Sequence, residues 1–257
     1  MKNLLKTIAK ISLVFVVGFG LGTGTLYSVH KHLTDIPTRA EIQDVENISK
    51  GLPEIERETV SLSRNTAIQI LSISPETGML ANTSGTYFTA DGRYFVVTVM
   101  HGLVGPCELT RIVADDEFYD CVQFVRTEHL IDYAIVEIEQ IENRKPMRLS
   151  RTLPKNQQWK SVLSAQNKIF YTGFPNGLGP LTFSGHVIGY NDFDSLYINS
   201  YAWGGSSGSG VFSYDGKYIG CILAVDVGKT EYGVDVMENI ILVIPGFKVD
   251  WASVFEK

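Results

Sequence analysis

Beyond residue 58, apolar and polar positions alternate over short runs instead of recurring every third or fourth residue, the period of strands with one buried face. These runs are rich in Val, Ile, Tyr, Phe and Thr and are cut by turn signals at Asp91-Gly92, Asp115-Asp116, Pro175-Asn176-Gly177 and Asp215-Gly216. Such residues accept the backbone of tight hairpins. The pattern predicts strands over 67–73, 84–89, 94–99, 109–113, 122–126 and 134–138, and a second set over 168–172, 182–188, 196–198, 210–213, 218–225 and 240–244. The gap around 140–165 divides them, so the expected class is all-β, with two packed barrels over about 59–145 and about 155–247. Only 250–256 reads as a short helix, with Asp250 as its N-cap.

The first thirty residues follow another pattern. Lys2, Lys6 and Lys10 precede an uncharged, apolar-rich stretch from Ile11 to Tyr27, which is expected to insert with its basic end in the cytoplasm and the rest of the chain outside. Seventeen residues lie at the lower limit of a membrane span, and no A-x-A cleavage site follows. Residues 1–30 are therefore expected to be an uncleaved single-pass transmembrane anchor, with a cleaved signal and a secreted product as the alternative. Gly18, Gly20, Gly22 and Gly24 form two overlapping G-x-x-x-G pairs that would let helices approach closely, a route to a homo-oligomer. Residues 31–58, charged and punctuated by Pro37 and Pro53, read as a solvated stalk, leaving 59–257 as the folded domain.

Composition removes several function classes. The net charge of −6, without a Lys/Arg-rich run beyond residue 40, leaves no footprint for a phosphate backbone, so no nucleic-acid partner is expected. Cys107, Cys121 and Cys221 have no C-x-x-C spacing and no paired His, so no metal site is expected, and nothing calls for a cofactor. Cys107 and Cys121 flank a hairpin, but a mirror register about Asp115-Asp116 does not oppose them. All three are expected to be buried or free thiols.

Three elements could carry chemistry. His101 follows the apolar run Y-F-V-V-T-V-M, where a loop can present an imidazole to a cleft, although many histidines are merely structural. Asp132 heads the apolar strand in H-L-I-D-Y-A-I-V-E-I, where an ordinary strand-start aspartate would also fit. W-G-G-S-S-G-S-G-V-F-S-Y-D-G sets serines among glycines directly before a hairpin. A flexible linker would not run into such a hairpin, whereas converging N–H groups on one oxygen require this backbone freedom.

In the order His, Asp, Ser, the segments T-V-M-H, D-Y-A-I-V and G-S-S-G-S-G-V-F resemble the chymotrypsin/trypsin clan, above all its compact bacterial HtrA-type members, whose motifs read T-A-x-H-V, D-L-A-V and G-N-S-G-G-P-V. G-F-P-N-G, T-F-S-G-H-V and I-L-V-I-P extend the likeness over roughly Val60 to Pro245. The resemblance implies two six-stranded antiparallel barrels and a serine endopeptidase working through an acyl-enzyme on protein or peptide substrates. His101 would be general base, Asp132 its orienting partner and Ser207 the nucleophile, with the oxyanion held by the N–H groups of Gly205 and Ser207. Tyr201, Ile222 and Ala224 would line the specificity pocket. Tyr201 stands about where enzymes that cut after basic residues carry an aspartate, so a small or medium apolar residue is expected before the cut. Ser206 and Ser209-Gly210 depart from the family's Asn or Asp and Gly-Pro, which motivates the alternative of a catalytically weak or inactive protease-fold binding protein.

Overall fold

The β-branched and aromatic runs form strands with few exceptions, because their side chains pack best on a pleated, half-buried surface. The computed structural model describes residues 49–255 apart from 156, 193, 231 and 232, with backbone alone over 225–238. The anchor and most of the stalk expected in the sequence lie outside the described residues. Among the described residues no helix is long and apolar enough to cross a membrane.

The first barrel comprises β1 (Ala67–Ile73), β2 (Leu80–Ala90), β3 (Arg93–Val99), β4 (Thr110–Ala114), β5 (Glu117–Glu128) and β6 (Tyr133–Ile138). They pair in the order β1-β4-β5-β6-β3-β2, and β1 also pairs with β2 and closes the ring. A two-residue strand, β7 (Met147–Arg148), adds in parallel to β2. The second barrel comprises β8 (Lys168–Gly173), β9 (Leu181–Tyr190), β10 (Leu196–Asn199), β11 (Gly210–Ser213), β12 (Tyr218–Thr230) and β13 (Gly233–Pro245). Its closed order is β10-β13-β12-β11-β8-β9. The expected two six-stranded antiparallel barrels are thus present. Asp91 and Gly92, and likewise Asp115 and Asp116, adopt the left-handed conformation at their hairpin tips that the sequence suggested.

Three apolar clusters hold this together. One fills the first barrel around Ile68, Ile70, Tyr87 and Val136, and a second fills the other barrel around Ile169, Tyr171, Val211 and Ile222. The third joins the barrels: Phe88, Phe95 and Val99 of the first meet Phe212, Tyr218 and Ile244 of the second. The site described below lies where the two barrels touch, and this shared core fixes their placement.

Beyond longer strands and short helices at Leu149–Thr152 and Gln158–Val162, four features differ from the sequence expectation. Residues Glu54–Thr66 form a helix, α1, whose buried positions are chiefly Thr59, Ser63 and Thr66, so no apolar stripe announced it. The C-terminal helix is a 3-10 turn, Trp251–Phe255, with the Asp250 carbonyl, not its carboxylate, accepting from Ser253 Oγ. Trp251 instead anchors it, edge-on to Phe88 and Tyr218 with its indole N–H on the Gly246 carbonyl at 2.7 Å. β12 and β13 pair beyond 225, to Thr230 and Gly233. Finally, Cys107 and Cys121 are disulfide-bonded, with Cα atoms 5.3 Å apart. Cys107 meets Cys121 outside the mirror register because it is not in the ladder: it sits in a 3-10 turn, Cys107–Leu109, that brings the chain back towards β5. Only Cys221 is free, and it is buried as expected.

Candidate active site

Strand register brings the first two candidates together. β3 and β6 are antiparallel with Val99 opposite Tyr133, so residues just past Val99 must meet residues just before Tyr133. His101 lies in the 3-10 turn Met100–Gly102 after β3, and Asp132 immediately precedes β6 with φ +66°. Aspartate is among the few side chains that tolerate this conformation. Asp132 then holds the histidine turn at three points. Its carbonyl accepts from the Met100 N–H at 3.2 Å, Oδ1 accepts from the His101 N–H at 2.8 Å, and Oδ2 lies 2.6 Å from His101 Nδ1. An ionised carboxylate only accepts, so Nδ1 carries the proton and Nε2 of the neutral ring keeps its lone pair. The imidazole side chain is 51% exposed and the carboxylate 26%, and both open on a recess shared with Met100, Leu103 and His129.

The serine loop is placed by the second barrel and pinned to the first. Of its three serines, Ser206 and Ser209 are buried, at 1% and 0% exposure, and only Ser207 reaches solvent. Gly205 and Gly208 have φ of +94° and +87°. At Gly208 a Cβ would lie 1.9 Å from the Ser84 carbonyl oxygen, so the loop's seat on β2 excludes any side chain there. The Gly208 N–H donates to the Ile222 carbonyl and the Ile222 N–H to the Ser209 carbonyl, at 2.7 and 2.9 Å. Thr83 stands between the two halves of the site. Its hydroxyl donates to the Ser207 carbonyl at 2.5 Å, and its methyl leaves no room for a Cβ on Gly102, beside His101. Among the described residues, no hydrogen bond joins the His101 and Ser207 side chains themselves; bonds of this kind often tighten only with substrate in place.

The loop's carbonyls are drawn to one side. Gly204 O accepts from the Asn176 N–H at 2.6 Å, Gly205 O from the Ser84 hydroxyl at 2.7 Å, and Ser207 O from the Ser84 N–H at 2.8 Å. Among the described residues, the Gly205 and Ser207 N–H groups donate to no protein acceptor. Two uncommitted donors flanking a half-exposed hydroxyl can stabilise an oxyanion formed at that hydroxyl. Thr83 and Ser84 were not singled out from the sequence, where T-S-G-T-Y-F read simply as a strand.

The specificity candidates differ in exposure. Tyr201 is 57% exposed and stacks on the exposed Trp203, ring centroids 6.2 Å apart, while the Tyr171 hydroxyl holds its carbonyl. Ile222, 1% exposed, turns its side chain into the second barrel's core and presents only backbone to the serine loop. Ala224 is half-buried on β12. Burial pushes the Cys221 thiol up to about 12 and the Tyr218 hydroxyl well above its ordinary value, so neither ionises near neutrality. Among the described residues no group of His, Cys, Asp or Glu could hold a metal ion.

The fold recurs among solved structures. A protease of M. tuberculosis in its active form is 15% identical at a TM-score of 0.56, over 74% of this chain and 80% of that one. The serine endoprotease of Yersinia pestis is 16% identical at 0.60, over 80% and 68%. The HtrA-type protease AlgW with a tripeptide is 17% identical at 0.59, over 75% and 60%. No curated protein matches the sequence. A family model described as the trypsin-like peptidase domain matches residues 83–221, more than half of the chain and a span that includes His101, Asp132 and Ser207. With its two closed barrels and this match, the chain belongs to the trypsin-like peptidase family.

Proposed function

We propose that the protein is a serine endopeptidase that cleaves protein or peptide substrates through an acyl-enzyme. Ser207 Oγ attacks the scissile carbonyl while His101 Nε2 takes its proton. Asp132 stabilises the imidazolium, and the Gly205 and Ser207 N–H groups receive the oxyanion. His101 then returns the proton to the leaving amine, and water releases the acyl group by the same base. The observation that carries this reading is the 2.6 Å contact between His101 Nδ1 and Asp132 Oδ2 on barrel one, to which Thr83 and Ser84 pin the loop bearing the one solvent-reaching serine. The exposed Tyr201–Trp203 stack ahead of the nucleophile supports an apolar residue before the cut. The disulfide of Cys107 and Cys121, a bond that persists in oxidising compartments, supports a domain outside the cytoplasm, tethered by residues 1–30.

A fluorophosphonate probe and a peptide library test the reading on the full chain. Labelling at Ser207 is expected, lost in Ser207→Ala and His101→Ala, with library cleavage lost in parallel. Folded wild-type protein that neither labels nor cleaves overturns it.

A further inference from the structure

Resting on the serine-peptidase reading, a more specific assignment concerns Ser84, a fully buried residue of β2. It makes three contacts at the junction of the barrels. Its hydroxyl donates to the Gly205 carbonyl at 2.7 Å and accepts from the Phe174 N–H at 3.0 Å, while its own N–H donates to the Ser207 carbonyl at 2.8 Å. Its carbonyl accepts from the Thr98 hydroxyl at 2.6 Å, which ties it back to β3 just ahead of His101.

The geometry points to Ser84 as a positioning residue for the oxyanion hole: its hydroxyl fixes the peptide plane after Gly205, and its N–H fixes the plane after Ser207. A peptide plane beside a glycine can rotate at little cost, and Gly205 has no side chain to resist that rotation. The plane before Gly205, which carries its N–H, is held at the Gly204 carbonyl by the Asn176 N–H. With both planes anchored, the Gly205 unit has one orientation. The Gly205 N–H that must await the developing oxyanion then needs no reorganisation during attack, the condition under which such donors are most effective. Phe174 N–H completes the arrangement by donating to one of the hydroxyl's two lone pairs, while the Gly205 carbonyl takes the Ser84 proton. The hydroxyl therefore acts on the transition state through backbone alone and touches no substrate.

Ser84→Ala removes the hydroxyl and keeps the N–H to Ser207; Ser84→Cys keeps a weak donor of similar shape. For Ser84→Ala, kcat is expected to fall about 10- to 100-fold, somewhat less than removal of a whole oxyanion donor. KM should stay within about twofold, since ground-state binding does not use the oxyanion. Ser84→Cys should lie between the two. Fluorophosphonate labelling should slow in the same order, and the Gly205 amide resonance should shift while those of β1 and β4 do not. Equal kcat in folded Ser84→Ala and wild type overturns the assignment and leaves the peptidase reading standing. If wild type itself neither labels nor cleaves, the peptidase reading fails, and the Gly205 amide decides the positioning role: an unmoved resonance in Ser84→Ala overturns it. If Ser84→Ala does not fold, Ser84→Cys decides: a wild-type kcat and Gly205 amide overturn the assignment, and a reduced kcat with a shifted amide sustains it.

Discussion

Replacing Asp132 by Asn isolates the orientation of the base from the integrity of the fold. Asn tolerates φ +66° as Asp does, so the backbone of the turn is preserved. The side chain, however, becomes half donor. The His101 backbone N–H, 2.8 Å from Oδ1, demands an acceptor there, so the amide oxygen takes that place and the amide NH2 faces Nδ1. Nδ1 must then present its lone pair and the proton moves to Nε2, which removes the base. The reversed amide would set NH2 against the backbone N–H, leaving donors unsatisfied at a cost of about 1–3 kcal/mol, or roughly 5- to 150-fold in population. Loss of the carboxylate's attraction for the imidazolium adds the remainder. The expected fall in kcat is about 10³ to 10⁴, up to about 5.4 kcal/mol on the barrier, the upper figure being that of the same substitution in a serine-protease triad. Steady-state hydrolysis of a peptide found by library profiling gives kcat, imidazole ¹⁵N shifts give the tautomer, and thermal melting controls for folding. A folded Asp132→Asn variant that keeps kcat within tenfold, or keeps its proton on Nδ1, refutes the reasoning.

Three further outcomes follow from the packing. Gly208→Ala should abolish labelling of Ser207 and lower the melting temperature, because a Cβ at φ +87° would meet the Ser84 carbonyl and the Thr98 hydroxyl, at 1.9 and 2.4 Å. Thiol titration at pH 8 should find no reactive cysteine in the native protein, one after denaturation and three after reduction as well, since Cys221 is buried with its thiol raised to about 12 and Cys107 is bonded to Cys121. Trp251→Ala should cost about 3 kcal/mol in denaturant unfolding, the lower end for a large aromatic, by removing the edge contacts to Phe88 and Tyr218.

The barrels were legible in the sequence because their strands satisfy a local rule. The run from Ala67 to Ile73 alternates, it is bounded, and it forms a strand over those same residues. His101 and Asp132 were legible through their places at strand ends, and β-register supplied the proximity that spacing alone could not. The helix α1 was not, because three of its four buried residues, Thr59, Ser63 and Thr66, are hydroxyl-bearing. Thr59 donates to the Tyr214 carbonyl and Ser63 to Thr172 Oγ1, so polar residues take places where an apolar stripe would be sought. The Cys107–Cys121 pairing was hidden by a turn that no ladder register foretells. Thr83 and Ser84 escaped notice because they act by hydrogen bonds to residues more than a hundred positions away, and nothing local marks such a partner.

Helix α1 also dictates an order of events at the ribosome. It precedes barrel one in the chain, yet most of its partners are in β8, β9 and β11: Lys168 pairs with Glu56 at 2.6 Å, and Arg64 reaches the Pro180 carbonyl and Thr182. About a hundred residues must be synthesised between the helix and its docking surface, on the order of ten seconds at ordinary elongation rates. Through that interval α1 lacks its partners in the second barrel, and β2 has no serine loop to grip. The later strands therefore recruit the earlier helix, and the serine loop meets the His101–Asp132 pair's barrel only after the second barrel has been made.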